Sequence, residues 1–553
     1  MQSRRMKRLR IAPAARSPGR VGGRWLVPFL VVVLLAQMAV AMVTTAVRQT
    51  PTIDEPVYVG TAADYLHEHR LRHNPEHPPL GKLVIATGVA LADPHVDASH
   101  TGGQAQLGRH LLYESGNDPW RLMLWARLPM IVLTLLCGLV VFAFARELAG
   151  VAGGLTALAL YAFSPDVIAH GSLATLDVPA AGFLLTSAWL LWRARLRPRL
   201  FLPLAGAALG AAVATKMSAL AAVPVLVALA AVSAWNGAAA DRRRALLRAV
   251  GGAAVVALVA VAVVWASYLA VDPRLRWAPE QHVPVLHGRR RLLVELLPFP
   301  EAYRDGMRVQ FGLENQPWQG FLLGEVYNGS RWYYLPVALL VKTPLGMLAL
   351  WAAGAVVVVA VRRLRPAAPY LLVPAAVLLV AAMEGTRDFG TRYAVFLPMF
   401  LAVAAGCLLA VRGRRGWVPV VAGALVLFVA VSSVRTYPYY LPYSNEAFGG
   451  PAKTRLRLHD SNVDWGQDLG RLADRLRERY GGERIWLVYK GSGVPSFYGI
   501  HACDPGEAPV GRVRGLLVVS NSSVAKAKGR LAELIDSSRA IDEVGHSITI
   551  YRR

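Results

Sequence analysis

Two adjacent acids, Asp54 and Glu55, stand just after the first long hydrophobic segment of this chain, followed by Pro56 and Tyr58. The same polar stretch then reads His77-Pro78-Pro79-Leu80-Gly81-Lys82. A carboxylate beside a membrane segment can take a proton from a hydroxyl, and a lysine held behind a double proline can hold a phosphate. More ionisable groups recur at the ends of later apolar segments: His170 and Asp177, Lys216, Lys342, then Arg387, Asp388 and Arg392. Placing one charge at the centre of a span costs about 2.5–3.5 kcal/mol on insertion scales, so groups gathered at the lipid boundary need a reason.

Membrane helices must position these residues. The 553-residue sequence is 55% hydrophobic and only 17% charged, with a mean hydropathy of +0.38, which makes it an integral membrane protein. Its excess of 60 Lys+Arg over 35 Asp+Glu is concentrated in short runs between apolar segments, the pattern of cytoplasmic loops and not of a nucleic-acid surface. Cys137 and Cys407 lie in apolar segments and Cys503 near the C-terminus, so neither a disulfide framework nor a zinc ligand set can be built.

Apolar runs predict eleven spans, near 25–47, 127–145, 148–164, 178–192, 200–215, 218–235, 249–271, 334–361, 370–384, 394–411 and 417–434. The first follows a basic tail, residues 1–24, and is too long for a cleaved signal peptide, so it reads as an anchor. With that tail cytoplasmic, the arginine clusters at 193–199, 242–248, 362–365 and 412–415 fall on the same side. Residues 48–125, 272–333 and 435–553 then lie outside, as do the charged groups named above. Trp332, Tyr333, Tyr334 and the tyrosines from Tyr437 to Tyr443 read as interfacial anchors. Beyond Arg455 the composition is that of a soluble domain. Helical periodicity over Gln467–Tyr480 and Val524–Ile535, with strands near 485–489, 516–519 and 547–551, predicts a small α/β unit.

Acids and cations collected at one membrane face suit a headgroup site better than a path across the bilayer. In transfer from a lipid phosphate the leaving group is already a stable anion, so it needs cations but no general acid. The acceptor hydroxyl needs a base. A hydrolase would need a carboxyl pair, because an alkoxide leaves.

The motifs make this specific. Asp54-Glu55 after the first span, His77-Pro78-Pro79-Leu80-Gly81-Lys82 and Thr175-Leu176-Asp177-Val178-Pro179 resemble those of the protein O-mannosyltransferase and aminoarabinose transferase group, polyprenyl-phosphate-sugar-dependent glycosyltransferases of the GT-C class. Lys342-Thr343-Pro344, Arg392-Tyr393, Tyr443-Ser444-Asn445-Glu446 and Asp464-Trp465-Gly466-Gln467-Asp468 resemble bacterial relatives of that group. The resemblance implies an all-α polytopic GT-C membrane domain over 25–434 with the α/β unit outside. It also implies a polyprenyl-phosphate-sugar donor in the membrane lipid and a glycan, lipid or protein acceptor. On it, Asp54 is the catalytic base, with Glu55 its motif neighbour in the catalytic set. Lys82, Lys216, Lys342 and Arg392 are candidate contacts for the donor phosphate. Tyr58, His77, His170 and Asp177 are acceptor-facing or structural.

Asp464 and Trp465 carry two readings. They line the acceptor cleft with the indole stacked on a sugar, or Asp464 caps a helix beginning near Gln467 and Trp465 packs beneath it. No Walker loop or dinucleotide fingerprint is present, which argues against a nucleotide site, and no cofactor is required. A divalent metal stays open, with Asp54, Glu55 and His77 as conceivable ligands at a spacing that is not diagnostic. The competing functions are a transporter or flippase of an anionic lipid or solute, which needs polar groups across the bilayer, and a GT-C-like envelope scaffold without catalysis.

Overall fold

The computed structural model describes residues 23–97, 99–100, 102–235, 242–411 and 416–553. Most of the basic tail, residues 1–22, and the Arg412, Arg414, Arg415 cluster lie outside the described residues. The first apolar run forms α1 (Gly23–Arg48). Three short helices then precede the next span: α2 (Glu55–His67), α3 (Pro79–Ala92) and α4 (Gln104–Tyr113). Prolines open α2 and α3, where the missing N–H would have had no helical partner. Tyr58, Val59, Ile85, Val89, Leu111 and Leu112 from these helices pack with Leu122, Met123 and Ala126 in one core. Where α2 and α4 cross, a Cβ on Gly108 would stand 2.2 Å from the Pro56 carbonyl oxygen, so only glycine fits.

Two of the expected spans form the single run α5 (Pro119–Ala162), broken at Gly150, whose φ of 77° belongs to no right-handed helix. Its two arms are tied by the Tyr161 hydroxyl, which donates to the Thr134 carbonyl at 2.8 Å. There follow α6 (Pro165–Gly171), α7 (Asp177–Ala194), α8 (Pro198–Thr215), a short turn into α9 (Val223–Trp235), and α10 (Arg242–Val271). Small residues let α8 and α10 meet backbone to backbone: a Cβ on Gly210 would lie 2.6 Å from the Ala260 carbonyl oxygen.

The second long connection holds α11 (Gly288–Glu295), α12 (Glu301–Glu314) and a hairpin of β1 (Gln319–Leu322) and β2 (Glu325–Asn328). The run expected as one span at 334–361 is α13 (Tyr334–Lys342) and α14 (Leu345–Ala360), bent by 118° at Thr343-Pro344. Proline there cannot continue the helical ladder. α15 (Ala368–Met383), α16 (Leu397–Gly406) and α17 (Trp417–Thr436) complete the membrane part. Among the described residues, seven helices are long and apolar enough to cross a membrane, or eight if the bent pair is one span. The difference from eleven arises at α5, which merges two runs, and at the shorter or more polar helices α7 and α16.

After α18 (Pro451–Thr454) the chain enters its mixed region: α19 (Leu469–Arg479), β3 (Ile485–Val488), β4 (Leu516–Ser520), α20 (Asn521–Ala525), α21 (Gly529–Asp536), β5 (Arg539–Val544) and β6 (Ile548–Arg552). The strands form one sheet in the order β3-β4-β6-β5, with only β3 and β4 parallel. The two-residue period of β4 sends Leu516 and Val518 toward the α19 leucines, and Leu517 and Val519 toward Leu534 of α21. Helices therefore cover both faces. The sheet serves the site through the segment just before α19, residues 460–468.

Candidate active site

Asp54 is the N-cap of α2, yet its side chain makes no capping bond. Its carboxylate instead accepts a hydrogen bond from Arg392 Nη1 at 2.6 Å. Arg392 sits in a single turn, Thr391–Ala394, between α15 and α16. Its guanidinium lies 4.3 Å from the centre of the Trp465 ring and 5.1 Å from that of Tyr393. Alongside, Lys216 at the end of α8 pairs with Asp177 at the start of α7, and its ammonium is 5.5 Å from the Tyr393 ring. The Asp54 side chain is 28% exposed, Lys216 15% and Arg392 11%, so this is where the cluster opens. Burial pulls the Arg392 pKa down, but Tyr393, Asp54 and Asp177 outweigh it and hold it well above the ordinary value.

Two imidazoles complete the wall. His77 meets the Tyr58 ring edge-on at 5.6 Å, and burial, with Lys216 and Lys82 nearby, keeps it well below its usual pKa. His170 is buried with its ring 6.0 Å from Trp465, and burial lowers its pKa to about 4. Two carboxylates, two cations and two neutral imidazoles thus meet at one end of the helix bundle.

Several residues read as site groups do other work. Glu55 is fully buried and saturated. Its oxygens accept from Arg127 Nε at 2.8 Å and Nη2 at 2.7 Å, from the Thr52 N–H at 2.8 Å and from the Ala174 N–H at 2.8 Å. Burial would raise its pKa, but Arg127 and the two backbone donors leave it lowered. It cannot reach substrate, which corrects its place in the catalytic set and also dissolves the Asp54, Glu55 and His77 metal set. Among the described residues no group of three or more His, Cys, Asp or Glu is arranged to hold a metal.

Lys82, expected at the phosphate, is also fully buried. Its ammonium donates to the Asn74 carbonyl at 2.8 Å, the His77 carbonyl at 2.8 Å and Asn74 Oδ1 at 3.3 Å, so it staples the loop before α3. Burial brings its pKa down to about 7. Lys342 is likewise enclosed, donating to the Leu441 and Asn462 carbonyls with Asp166 at 3.5 Å. Both lysines replace solvent with carbonyl oxygens and have no face left for a phosphate. Tyr334, Tyr440 and Tyr443 are buried as well, so they are not interfacial anchors.

Trp465 is 1% exposed, a platform for Arg392 and not a surface for a sugar. Its backbone joins the first loop: the Ile53 N–H donates to the Trp465 carbonyl and the Thr50 N–H to the Gln467 carbonyl, each at 3.0 Å. Asn462 fixes the other side, its Oδ1 accepting the Thr391 N–H at 3.1 Å while its Nδ2 donates to the Tyr334 hydroxyl at 2.9 Å. Arg127 is not legible as a site residue from the sequence, whereas Asn462 belongs to the same 460–468 run as Asp464 and Trp465. An arginine at the edge of an apolar run is the one signal in the sequence for the first.

Asp464 does not cap the next helix, which starts at Leu469 behind Asp468. It accepts the Ser522 N–H at 3.2 Å and the Gly466 N–H at 3.4 Å, tying α20 to the Trp465 segment. Burial raises its pKa from 3.8 to about 7 in spite of Lys490 nearby. Between those values the folded protein keeps a proton that the unfolded chain has released, so this contribution is present at low pH and is lost as pH rises through about 7. The melting temperature of the wild type therefore falls more between pH 5.5 and pH 8 than that of Asp464→Asn. Equal falls in a thermal melt of both proteins would refute this.

Residues 31–274 match the sequence model of a family described as dolichyl-phosphate-mannose-protein mannosyltransferase. The chain is a multi-pass membrane glycosyltransferase. The matched stretch contains Asp54, Lys82, Asp177 and Lys216, and the resemblance drawn from the motifs is borne out. No curated protein matches. Among solved structures, ArnT from Cupriavidus metallidurans bound to undecaprenyl phosphate is 15% identical at a TM-score of 0.48, covering 96% of this chain and 98% of that one. The Pmt1-Pmt2 complex of S. cerevisiae bound to the sugar donor is 17% identical at 0.36, covering 45% of this glycosyltransferase and 34% of that chain. The oligosaccharyltransferase AglB of Archaeoglobus fulgidus is 14% identical at 0.43, covering 83% and 59%. None of these likenesses is close, and none locates a site residue here.

Proposed function

We propose that this glycosyltransferase moves one sugar from a polyprenyl-phosphate-linked donor to an acceptor hydroxyl on the outer side of the cytoplasmic membrane, inverting the anomeric carbon. The N-terminus is cytoplasmic in this reading, and the sheet-bearing C-terminal region is outside. The observation that carries it is the Asp54–Arg392 contact at 2.6 Å, partly open and flanked by Lys216. The acceptor oxygen bonds to the anomeric carbon from the face opposite the phosphate while the carbon–phosphate oxygen bond breaks. The acceptor proton passes to Asp54. The carrier leaves as a polyprenyl phosphate with one more negative charge than the donor, and Arg392 and Lys216 take up that charge.

The acceptor class is a protein hydroxyl, a glycolipid or a wall glycan. The test is transfer of radiolabelled sugar from synthetic polyprenyl-phosphate donors by purified protein in lipid, with an envelope extract as acceptor. Label appears with the wild type, and its destination identifies the acceptor fraction. Arg392→Ala raises the donor KM about 10- to 100-fold, the scale of a lost hydrogen bond to a charged group. Absence of label with every donor, from folded protein, would overturn the reading.

A further inference from the structure

A hollow of about 400 Å³ opens between three stretches distant in sequence: Arg72 to Asn74, Gly103 to Gln106, and Glu280 with Gln281. None of its lining residues belongs to the catalytic set above. The frame is well tied. Leu71 bridges Trp277, and the Glu76 carboxylate accepts from Gln104 Nε2 at 2.9 Å on one side and from Gln281 Nε2 at 3.0 Å on the other. Asn74 takes a left-handed backbone with φ of 50°, a conformation asparagine tolerates better than most residues. The Lys82 ammonium grips it there.

One wall is shared with the reaction site. Asn74 lines the hollow, while His77, three residues on, packs against Tyr58 and feels the charges of Lys216 and Asp177. Lys82 bonds both carbonyls, so the partition between the two spaces is rigid.

The charges decide what fits. Arg72 is spent on Asp64, through bonds of 2.6 and 3.2 Å. His73 stands 3.3 Å from Glu280, and burial lowers its pKa to about 4, so it adds no charge near neutrality. Arg72 and Lys82 face Asp64, Glu76 and Glu280, a surplus of one negative charge, which disfavours a phosphate or carboxylate ligand. What remains for a ligand is the unspent half of four amides: Asn74 Nδ2 and Gln106 Nε2, whose oxygens are taken by Lys82 and the Gly103 N–H, Gln281 Oε1, and the second N–H of Gln104 and of Gln281, whose first N–H goes to Glu76. Together they offer both donors and an acceptor, as paired hydroxyls require. Gln104 Oε1 has no hydrogen-bond partner within the protein. The volume falls in the range of small-molecule sites, about 300–1,000 Å³.

We propose that this hollow is an acceptor subsite that holds a neutral, hydroxyl-rich sugar residue of a glycan-bearing acceptor. The proposal deepens the transferase reading and rests on it: the loop from Asn74 to His77, held by Lys82, joins the hollow to the His77 wall of the site.

The probe is a set of methyl glycosides of mannose, glucose, galactose and N-acetylglucosamine, presented to the purified protein in lipid nanodiscs and read by saturation-transfer NMR. Undecaprenyl phosphate binding is measured on the same preparations by native mass spectrometry. At least one glycoside receives saturation from the wild type. Its affinity falls about five- to tenfold in Gln281→Ala and in Gln106→Ala, while undecaprenyl phosphate binding is unchanged. Gln106 is exposed, and the bond its Oε1 accepts from the Gly103 N–H at 3.1 Å lies at the surface, so its variant folds even where Gln281→Ala does not. Saturation of no glycoside, equal saturation in wild type and both variants, or saturation of N-acetyl-lysine methylamide alone overturns the proposal. Failure of undecaprenyl phosphate to bind the wild type would instead count against the donor reading, leaving the glycoside result to judge the hollow.

Discussion

Asp54→Asn lowers the rate of sugar transfer at saturating donor by about 10²- to 10⁴-fold, the range that a positioned general base supplies. Asparagine keeps the shape of the side chain but cannot take the acceptor proton. It also leaves Arg392 without the carboxylate that now lies 2.6 Å away. The freed guanidinium remains available to the donor phosphate, so donor KM stays constant or falls while kcat collapses. That split separates loss of the base from loss of the fold, which would reduce donor binding as well. Initial rates over a donor series, with Asp54→Glu as the conservative control, measure it. A variant that transfers normally removes Asp54 from the role of base.

The second large effect is on stability. Arg127→Leu leaves the Glu55 carboxylate buried without its partner, and breaking a buried ion pair from one side costs about 3–5 kcal/mol. The same guanidinium also donates to the Ala46 carbonyl at 2.6 Å, the Gln49 carbonyl at 2.9 Å and the Thr50 carbonyl at 3.2 Å. Its loss therefore frees the end of α1 and the segment 49–53 that leads to Asp54. The expected outcome is a large fall in melting temperature and in monodisperse protein recovered from the membrane. Arg127→Met combined with Glu55→Gln recovers part of the loss, because no unpaired charge is left buried. A double variant no better than the single one, in a thermal melt monitored by size exclusion, would show that the carbonyl contacts alone carry the effect. Glu55 is thus a positioning residue. It joins the Thr52 and Ala174 backbones and aims α2, and with it Asp54, at Arg392.

The contrast between these two neighbours shows where reading the chain in one dimension reaches its limit. Asp54 and Glu55 are chemically alike and adjacent, and the sequence offers no way to tell which faces solvent. The helix start decides it: Glu55 is the first residue of α2 and turns inward to Arg127, while Asp54 precedes it and points outward. Lys82 and Lys216 divide in the same way. Both border apolar runs, but Lys82, at the start of α3, lies within carbonyl reach of a left-handed turn at Asn74, whereas Lys216 emerges at a helix end opposite Asp177. The mixed C-terminal region was readable as helix and strand at α19, β3, β4 and β6, because their periods of hydrophobicity are clear. β5 was not, since Arg539, Ala540 and Ile541 are exposed in succession and leave no alternation, and it pairs through backbone bonds to β6. The helix expected over Val524–Ile535 divides into α20 and α21.

Hydrophobic run lengths and the clustering of arginines between them establish a membrane protein, and the motifs around Asp54, Lys82 and Asp177 establish its chemical class, because both are properties of consecutive residues. Long-range pairing is not such a property. Arg392 reaches Asp54 across more than half the chain, and Trp465 and Asn462 come from a region whose composition reads as a separate soluble unit. Only packing of the 460–468 segment against the first loop turns an isolated carboxylate and an isolated arginine into a charge-balanced site. That packing is made largely of backbone hydrogen bonds, such as Ile53 to Trp465, which any residue type can form and which therefore leave no mark on the sequence.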